Sequence, residues 1–400
     1  MADSASARPA ASQRLCDARG QWGWSQADLA AEVAKKRAIR NCRPVLEESL
    51  RRQIVAFENG ARPGPEWRSL LADALQVDED YLFGLTVDIA LPRPQFSHVT
   101  IDRDFVDVLL GQQATYYRAE HMLGPAYVRD LVDHSRATIE NALSFAPPAL
   151  RDDVRRAAGL YSEFAGWIAQ DSGDYITAAR HTNRAHDLLR ATEPTLRAMI
   201  LMRRSNVVIR EDPFLAVDLA AEAARLIQGQ SVGRLAASIA RQQALAAVAS
   251  RDSATFREHA ERALDLAAAE PVPDDRAVYA HTAYVAAELS AGYLATGDAD
   301  TAAELLLAHE GHWNTAQRRD RAVAGTRLLR ILIVQGDYRA ATRHLPHAVD
   351  DYRAAPSDRA RQELRLCRKI IRDRARCAQS PDLQTLRNRI NTVLQEGVAA

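Results

Sequence analysis

The chain has 400 residues, 47% of them hydrophobic and 26% charged, enough for two or three domains with substantial cores. Its 52 basic and 52 acidic residues cancel, which excludes a general polyanion binder and confines electrostatic recognition to local clusters. Cys16, Cys42, Cys367 and Cys377 show no CxxC spacing, which points to reduced thiols rather than a zinc site, and no apolar run approaches the length of a membrane span.

A first helix is expected over about 11–19, ASQRLCDAR. In GWSQADLAAEV, 23–33, Ser25 is the expected N-cap with Asp28 at N3, a weak capping box. Trp24 can pack on Leu29 as a hydrophobic staple. In SLRRQIVAFENGARP, 49–63, Leu50, Ile54 and Phe57 fall at i, i+4, i+7, one face of a helix. Ser49 is its expected cap, and Asn59-Gly60 supplies residues that tolerate a left-handed end. Arg51, Arg52 and Gln53 then fall in the first turn and, with Ala56, face outward. A connection, AKKRAIRNCRPVLEE at 34–48, adds Lys35, Lys36, Arg37, Arg40 and Arg43. Gly64-Pro65 opens a fourth helix carrying Leu70, Leu71, Ala74 and Leu75, since proline suits N1. VDEDYLFG, 77–84, reads as a fifth, with Asp78 as N-cap.

These five elements, with SQADLA and ENGARP in that order, resemble the helix-turn-helix domain of the XRE (phage repressor-like, lambda-repressor-like) family over roughly 11–84. The resemblance implies DNA binding, with the second motif helix entering the major groove. Arg51 and Arg52 would occupy base-reading positions, with Gln53 and Ala56 as the next outward ones. Gln26 matches a phosphate-contacting glutamine, and Asn59 and Arg62 match a backbone-contacting turn. The 34–48 connection departs from the family's usual short turn and resembles a variant of actinobacterial regulators. Its Lys35, Lys36 and Arg40 adjoin the reading helix, so phosphate contact is the expected role.

Residues 86–101 read as a linker, and two helices are expected near 102–122 and 125–144, broken at Leu123-Gly124-Pro125. From about 151 a repeat emerges. Asp174, Asp212, Asp252, Asp298 and Asp337 each sit in a turn, at spacings of 38, 40, 46 and 39 residues. Four residues later come Ala178, Ala216, Phe256, Ala302 and Ala341, and eleven later Ala185, Ala223, Ala263, His309 and Ala348. Small residues at fixed offsets let paired helices approach closely. Phe256 and His309 depart from the pattern, and residues 263–281 are expected to hold an irregular connection. The pattern resembles tetratricopeptide (TPR) repeats. The basic segment 357–377 and the segment 381–396 are expected to cap the stack, with the arginines of the first in solvent.

The expected architecture is therefore all-α: a five-helix head at 1–85, a linker with connecting helices at 86–150, and a TPR-like α-solenoid with capping helices at 151–400. A head of this kind followed by such repeats resembles the RRNPP peptide-responsive regulators, and also actinobacterial XRE–repeat regulators. This implies a homodimer that binds double-stranded DNA and takes a peptide, small molecule or protein in the concave groove. The repeat register puts Glu163, Trp167, Gln170, Ser205, Arg241, Tyr284, Thr326 and Arg330 on that groove. Arg241 and Arg330 could take a carboxylate or carbonyl. Glu163 and Tyr284 join them as candidate ligand residues.

Enzyme chemistry finds little support. His309 and His312, or His344 and His347 with Pro346 between them, lack a third metal ligand. There is no glycine-rich phosphate loop, GxSxG or HExxH, so neither catalytic residues nor a cofactor is expected. The N-terminus lacks a signal-peptide core, and a cytoplasmic, nucleoid-associated protein is expected. The alternative is a TPR scaffold whose helix-turn-helix serves protein contacts.

Overall fold

A computed structural model describes residues 10–22, 24–39, 45–75, 77, 79–83, 100–273, 275–374 and 380–396. The chain is all-helical, without strands among the described residues, and divides into two compact units, 1–92 and 93–400.

The first unit contains α1 (Ala10–Gln21), α2 (Gln26–Ile39), α3 (Glu47–Glu58), α4 (Pro65–Leu75) and α5 (Glu79–Phe83). Leu15, Leu29, Val33, Leu50, Ile54, Leu71 and Leu82 meet in one core, at roughly 1.5–3 kcal/mol for each large side chain withdrawn from water. The capping box forms as the sequence implies. Asp28 N donates to Ser25 Oγ at 3.2 Å, and Ser25 N donates back to the Asp28 carboxylate at 2.8 Å. Asn59 caps α3, and Gly60 follows at φ 109°, in the left-handed region open to glycine.

The start of α3 differs from expectation. The helix begins at Glu47, three residues before the start that a Ser49 cap implies, and its N-cap is Leu46, which offers no side-chain oxygen. Ser49 lies inside the first turn, with its N–H bonded to Leu46 O at 2.9 Å. Glu47 and Glu48 sit where the helix dipole favours negative charge. Arg51, Arg52 and Gln53 consequently lie in the second turn. Ala34–Ile39 continues α2 rather than forming an extended connection. Arg40, Cys42, Arg43 and Asp78 lie outside the described residues, as do the linker at 86–99 and Cys377.

The second unit is a solenoid of paired helices. Its inner layer is α6 (Arg103–Leu123), α8 (Arg151–Asp171), α10 (Pro194–Val208), α12 (Arg234–Ala249), α14 (Thr282–Ala295), α16 (Arg318–Gln335) and α18 (Asp358–Arg374). The outer partners are α7 (Pro125–Ala142), α9 (Tyr175–Leu189), α11 (Pro213–Leu226), α13 (Ser253–Ala267), α15 (Ala299–His309), α17 (Tyr338–Ala354) and α19 (Pro381–Glu396). The five repeat aspartates are the N-caps of α9, α11, α13, α15 and α17. Each carboxylate accepts the backbone N–H three residues on, at 2.9–3.1 Å. Ala178, Ala216, Ala302 and Ala341, four residues past the cap, are completely buried. The 46-residue spacing is absorbed by the non-helical 268–273 and 275–281. α17 runs unbroken through Pro346.

The stack turns until its first inner helix meets later ones. α6 packs on α16. A Cβ on Gly124, between α6 and α7, would lie 2.4 Å from Pro356 O, just before α18. Arg210, after α10, donates to Gln362 on α18 at 2.9 Å. No helix among the described residues is long and apolar enough to cross a membrane.

Candidate functional site

On α3 the buried stripe Leu50, Ile54 and Phe57 leaves Arg52, Gln53 and Ala56 exposed, with the Arg51 side chain 42% exposed. Glu48 holds both arginines. Arg51 donates to it twice at 2.8 Å, and Arg52 Nε lies 3.5 Å away. The Arg51 hydrogen bonds pull the Glu48 carboxyl down to about 2; burial works the other way, and the remaining attraction of Arg51 and Arg52 adds to the pull. The exposed face is thus partly self-neutralised. Lys35 is exposed and pairs with Glu32 at 2.9 Å, Lys36 is half-buried, and Arg62 and Asn59 are exposed in the turn after α3.

Gln26 has a structural engagement that its sequence position does not announce. Its Nε2 donates to Glu58 at 2.7 Å, beside Arg19, which grips the same carboxylate at 2.6 and 3.0 Å. Burial works to raise the Glu58 carboxyl, but Arg19 and Gln26 hold it below its ordinary value. These bonds tie α1, the start of α2 and the end of α3 together, and so set the angle at which α3 is presented.

On the inner face of the solenoid the candidate ligand residues already have partners within the chain. Arg241 is completely buried, 3.8 Å from Glu288 and with its guanidinium over the Tyr284 ring. Tyr284 is itself buried, and burial pushes its hydroxyl up to about 12. Arg330 pairs with Glu363 of α18 at 2.5 Å. Glu163 is buried, accepting from Tyr117 at 2.9 Å and from Arg203 at 2.7 Å. Ser205 and Thr326 bond to backbone carbonyls and are buried, and Gln170 approaches Asn206 at 3.4 Å. Six of these eight side chains are buried, and Gln170 and Arg330 are half-buried. The register placed them on the inner layer correctly, but closure of the turn fills that layer with partners.

Trp167 is at the centre. The guanidinium carbons of Arg203, Arg319 and Arg359 lie 4.8, 4.8 and 5.7 Å from its ring, a cation–π arrangement from three helices. Arg319 donates to Glu120 at 2.7 Å and to Asp320 at 2.9 and 3.0 Å. Arg359 pairs with Glu288, as does Arg327, which also donates to Glu363 at 2.8 Å. Burial works to raise Glu288, but Arg359, Arg327 and Arg241 together hold it down to about 2. Burial dominates at Asp171, whose carboxyl is raised although Arg319 and Arg359 pull the other way, Arg359 Nε lying 4.0 Å from it. Arg359 was expected in a solvated cap; it is instead drawn inward, while Arg365 and Arg372 on the same helix stay exposed.

No group of three or more His, Cys, Asp or Glu among the described residues could hold a metal ion. The chain matches no protein-family model and no curated protein. Among solved structures it is similar to a Rap protein in complex with competence and sporulation factor, at 13% identity and a TM-score of 0.45, over 74% of this chain and 89% of that one. At that distance the likeness bears on neither ligand nor activity.

Proposed function

We propose that the chain is a sequence-specific DNA-binding transcriptional regulator whose repeat unit mediates dimerisation and senses a ligand or partner. The observation that carries this reading is α3: a helix buried along Leu50, Ile54 and Phe57, with Arg52, Gln53 and Ala56 outward and Arg51 beside them. Arginine and glutamine on an outward helix face are suited to base edges, and the basic residues of α2 and the turn at Arg62 to phosphates. The head resembles the XRE pattern in SQADLA and ENGARP, with Gln26, Asn59 and Arg62 at matching positions. In this reading one head spans few base pairs, and a homodimer on two spaced half-sites supplies the rest. Selection of bound duplexes from a random library by the full chain tests the proposal. An enriched motif with two related halves, and a dimer in sedimentation, are expected. Binding without any enriched sequence would favour the scaffold reading instead.

A further inference from the structure

A cavity of about 450 Å³ opens at one mouth of the solenoid, between α6 and the starts of α12, α14 and α16. That volume suits a small organic molecule. Two arginines and three histidines face it, with Thr282, Asn314 and Gln317, and no carboxylate is among the lining residues. Arg118 is exposed and makes no ion pair with the described residues. Arg234 spends Nε and Nη1 on the carbonyls of Ala269 and Val278, at 3.4 and 3.1 Å, which leaves Nη2 for an acceptor. His281 is held by Gln317 at 3.0 Å and stacks edge-on with Trp313. Two acids lie behind this lining: Asp320, 3.4 Å from His121 Nδ1 and matched by Arg319, and Asp275, which accepts the Arg234 backbone N–H at 2.7 Å.

The backbone adds donors at the same place. α14 has His281 as N-cap and no side-chain cap, so the N–H groups of Thr282 and Ala283 have no acceptor among the described residues. The inner helices α8, α10, α12 and α16 likewise lack a side-chain cap, so what sets this helix start apart is the cavity beside it. Val278, Ala283 and Ala316 give the cavity an apolar wall.

We propose that this cavity binds a small organic anion, with its phosphate or carboxylate group against Arg118, Arg234 and the start of α14 and its apolar body against Val278 and Ala316. Bound there, the anion bridges α6 to α12, α14 and α16. Among the described residues α6 is the first helix of the second unit, so occupancy bears on the helix that follows the linker in sequence. His121 extends the contact inward, since its Nδ1 lies 3.2 Å from Arg319 Nη2. The regulatory consequence rests on the reading of the chain as a ligand-gated regulator; the site itself does not.

Calorimetry on the full chain at constant ionic strength tests the site with phenyl phosphate, phenylacetate and, as neutral control, benzyl alcohol. One saturable site per chain is expected for at least one anion and none for the alcohol. Tighter phenyl phosphate binding identifies a phosphate ester as the ligand class, and tighter phenylacetate binding a carboxylate. Arg118→Ala should weaken binding at least tenfold without moving the ligand-free unfolding midpoint, because that side chain is exposed and unpaired. Ala316→Trp should block the cavity by volume. Absence of saturable anion binding, or binding that survives both substitutions, overturns the proposal. Binding abolished in both variants, with DNA affinity indifferent to the anion, leaves the site standing and removes the gating reading.

Discussion

Arg319 on α16 and Glu120 on α6 are joined at 2.7 Å across 199 residues of sequence, with both side chains 2% exposed or less. The pair is one of the links that close the solenoid on itself. Burial raises the Glu120 carboxyl and Arg319 works against it, so each partner is costly without the other. Arg319→Met should lower the stability of the full chain by about 3–5 kcal/mol in urea unfolding, the usual effect of isolating a buried charge. Adding Glu120→Met should restore part of that loss. With Glu120→Met alone completing the cycle, a double variant destabilised by the sum of the two single changes would mean that the two residues are not energetically coupled.

In the head, Arg51→Ala with Arg52→Ala should abolish discrimination between a selected site and random duplex, at roughly 1–3 kcal/mol for each bidentate base contact, while weak salt-dependent binding persists. Lys35→Ala with Lys36→Ala should weaken all duplexes alike and flatten the salt slope by about 0.9 for each phosphate left without its lysine. Glu48→Gln gives the opposite test. It releases both guanidinium groups from their shared carboxylate, so non-specific affinity should rise and the salt slope steepen. Anisotropy titrations across a salt series separate these three outcomes.

Much of the fold was legible because its signals are local. An aspartate in a turn, followed four residues on by alanine, specifies a cap and a close helix contact within one short segment. All five repeat aspartates cap helices, including Asp252, where Phe256 stands in the alanine position. The Ser25–Asp28 box and the Gly60 turn are local in the same sense. At the start of α3 two local signals competed, and acidic residues at Glu47 and Glu48 prevailed over the hydroxyl of Ser49. The inner face was legible only as a periodicity. Arg241 and Arg330 fall on it by register, but their partners Glu288 and Glu363 are 47 and 33 residues away, and the closing pair is 199 apart. Helical period says which way a side chain points. It does not say whether the far wall arrives to meet it. The mouth cavity was missed for the same reason, since its lining comes from α6, α12, α14 and the loop before α16.

The ionic layer also sets acid sensitivity. Glu288 has its carboxyl held down to about 2 from an ordinary 4.5, so the folded state favours its ionised form. Its contribution is therefore complete above pH 4.5 and is lost as pH falls toward 2. Glu120 and Asp171, raised by burial, act in the other direction: they favour the fold when protonated and cost stability as pH rises through their titration. Glu288→Gln should flatten the fall in stability between pH 4.5 and 2 and lower stability at pH 7, where three guanidinium groups lose their shared counter-charge. Urea midpoints measured across that range would show it. An unchanged pH slope would mean that Glu288 does not carry the acid transition.

The last test concerns the repeat position at which alanine is replaced by Phe256. That ring is completely buried and sits edge-on to Tyr293 at 4.9 Å between ring centres. It fits because the facing helix, α14, has Gly292 there. A Cβ on Gly292 would lie 2.4 Å from Phe256 Cε2, well inside contact distance, so the two residues act as a knob and its socket. Gly292→Ala should then destabilise the full chain by roughly 1–3 kcal/mol through overpacking, despite alanine's better helix propensity. Phe256→Ala should cost about 3–5 kcal/mol by leaving a cavity. The informative variant is the pair Phe256→Leu with Gly292→Ala, in which the shorter side chain makes room for the added methyl. If the knob-and-socket account holds, the double variant is more stable than the sum of the two single changes implies, by about 0.5 kcal/mol or more. Simple additivity in thermal or urea unfolding would show instead that α14 shifts to accommodate the methyl without reference to Phe256.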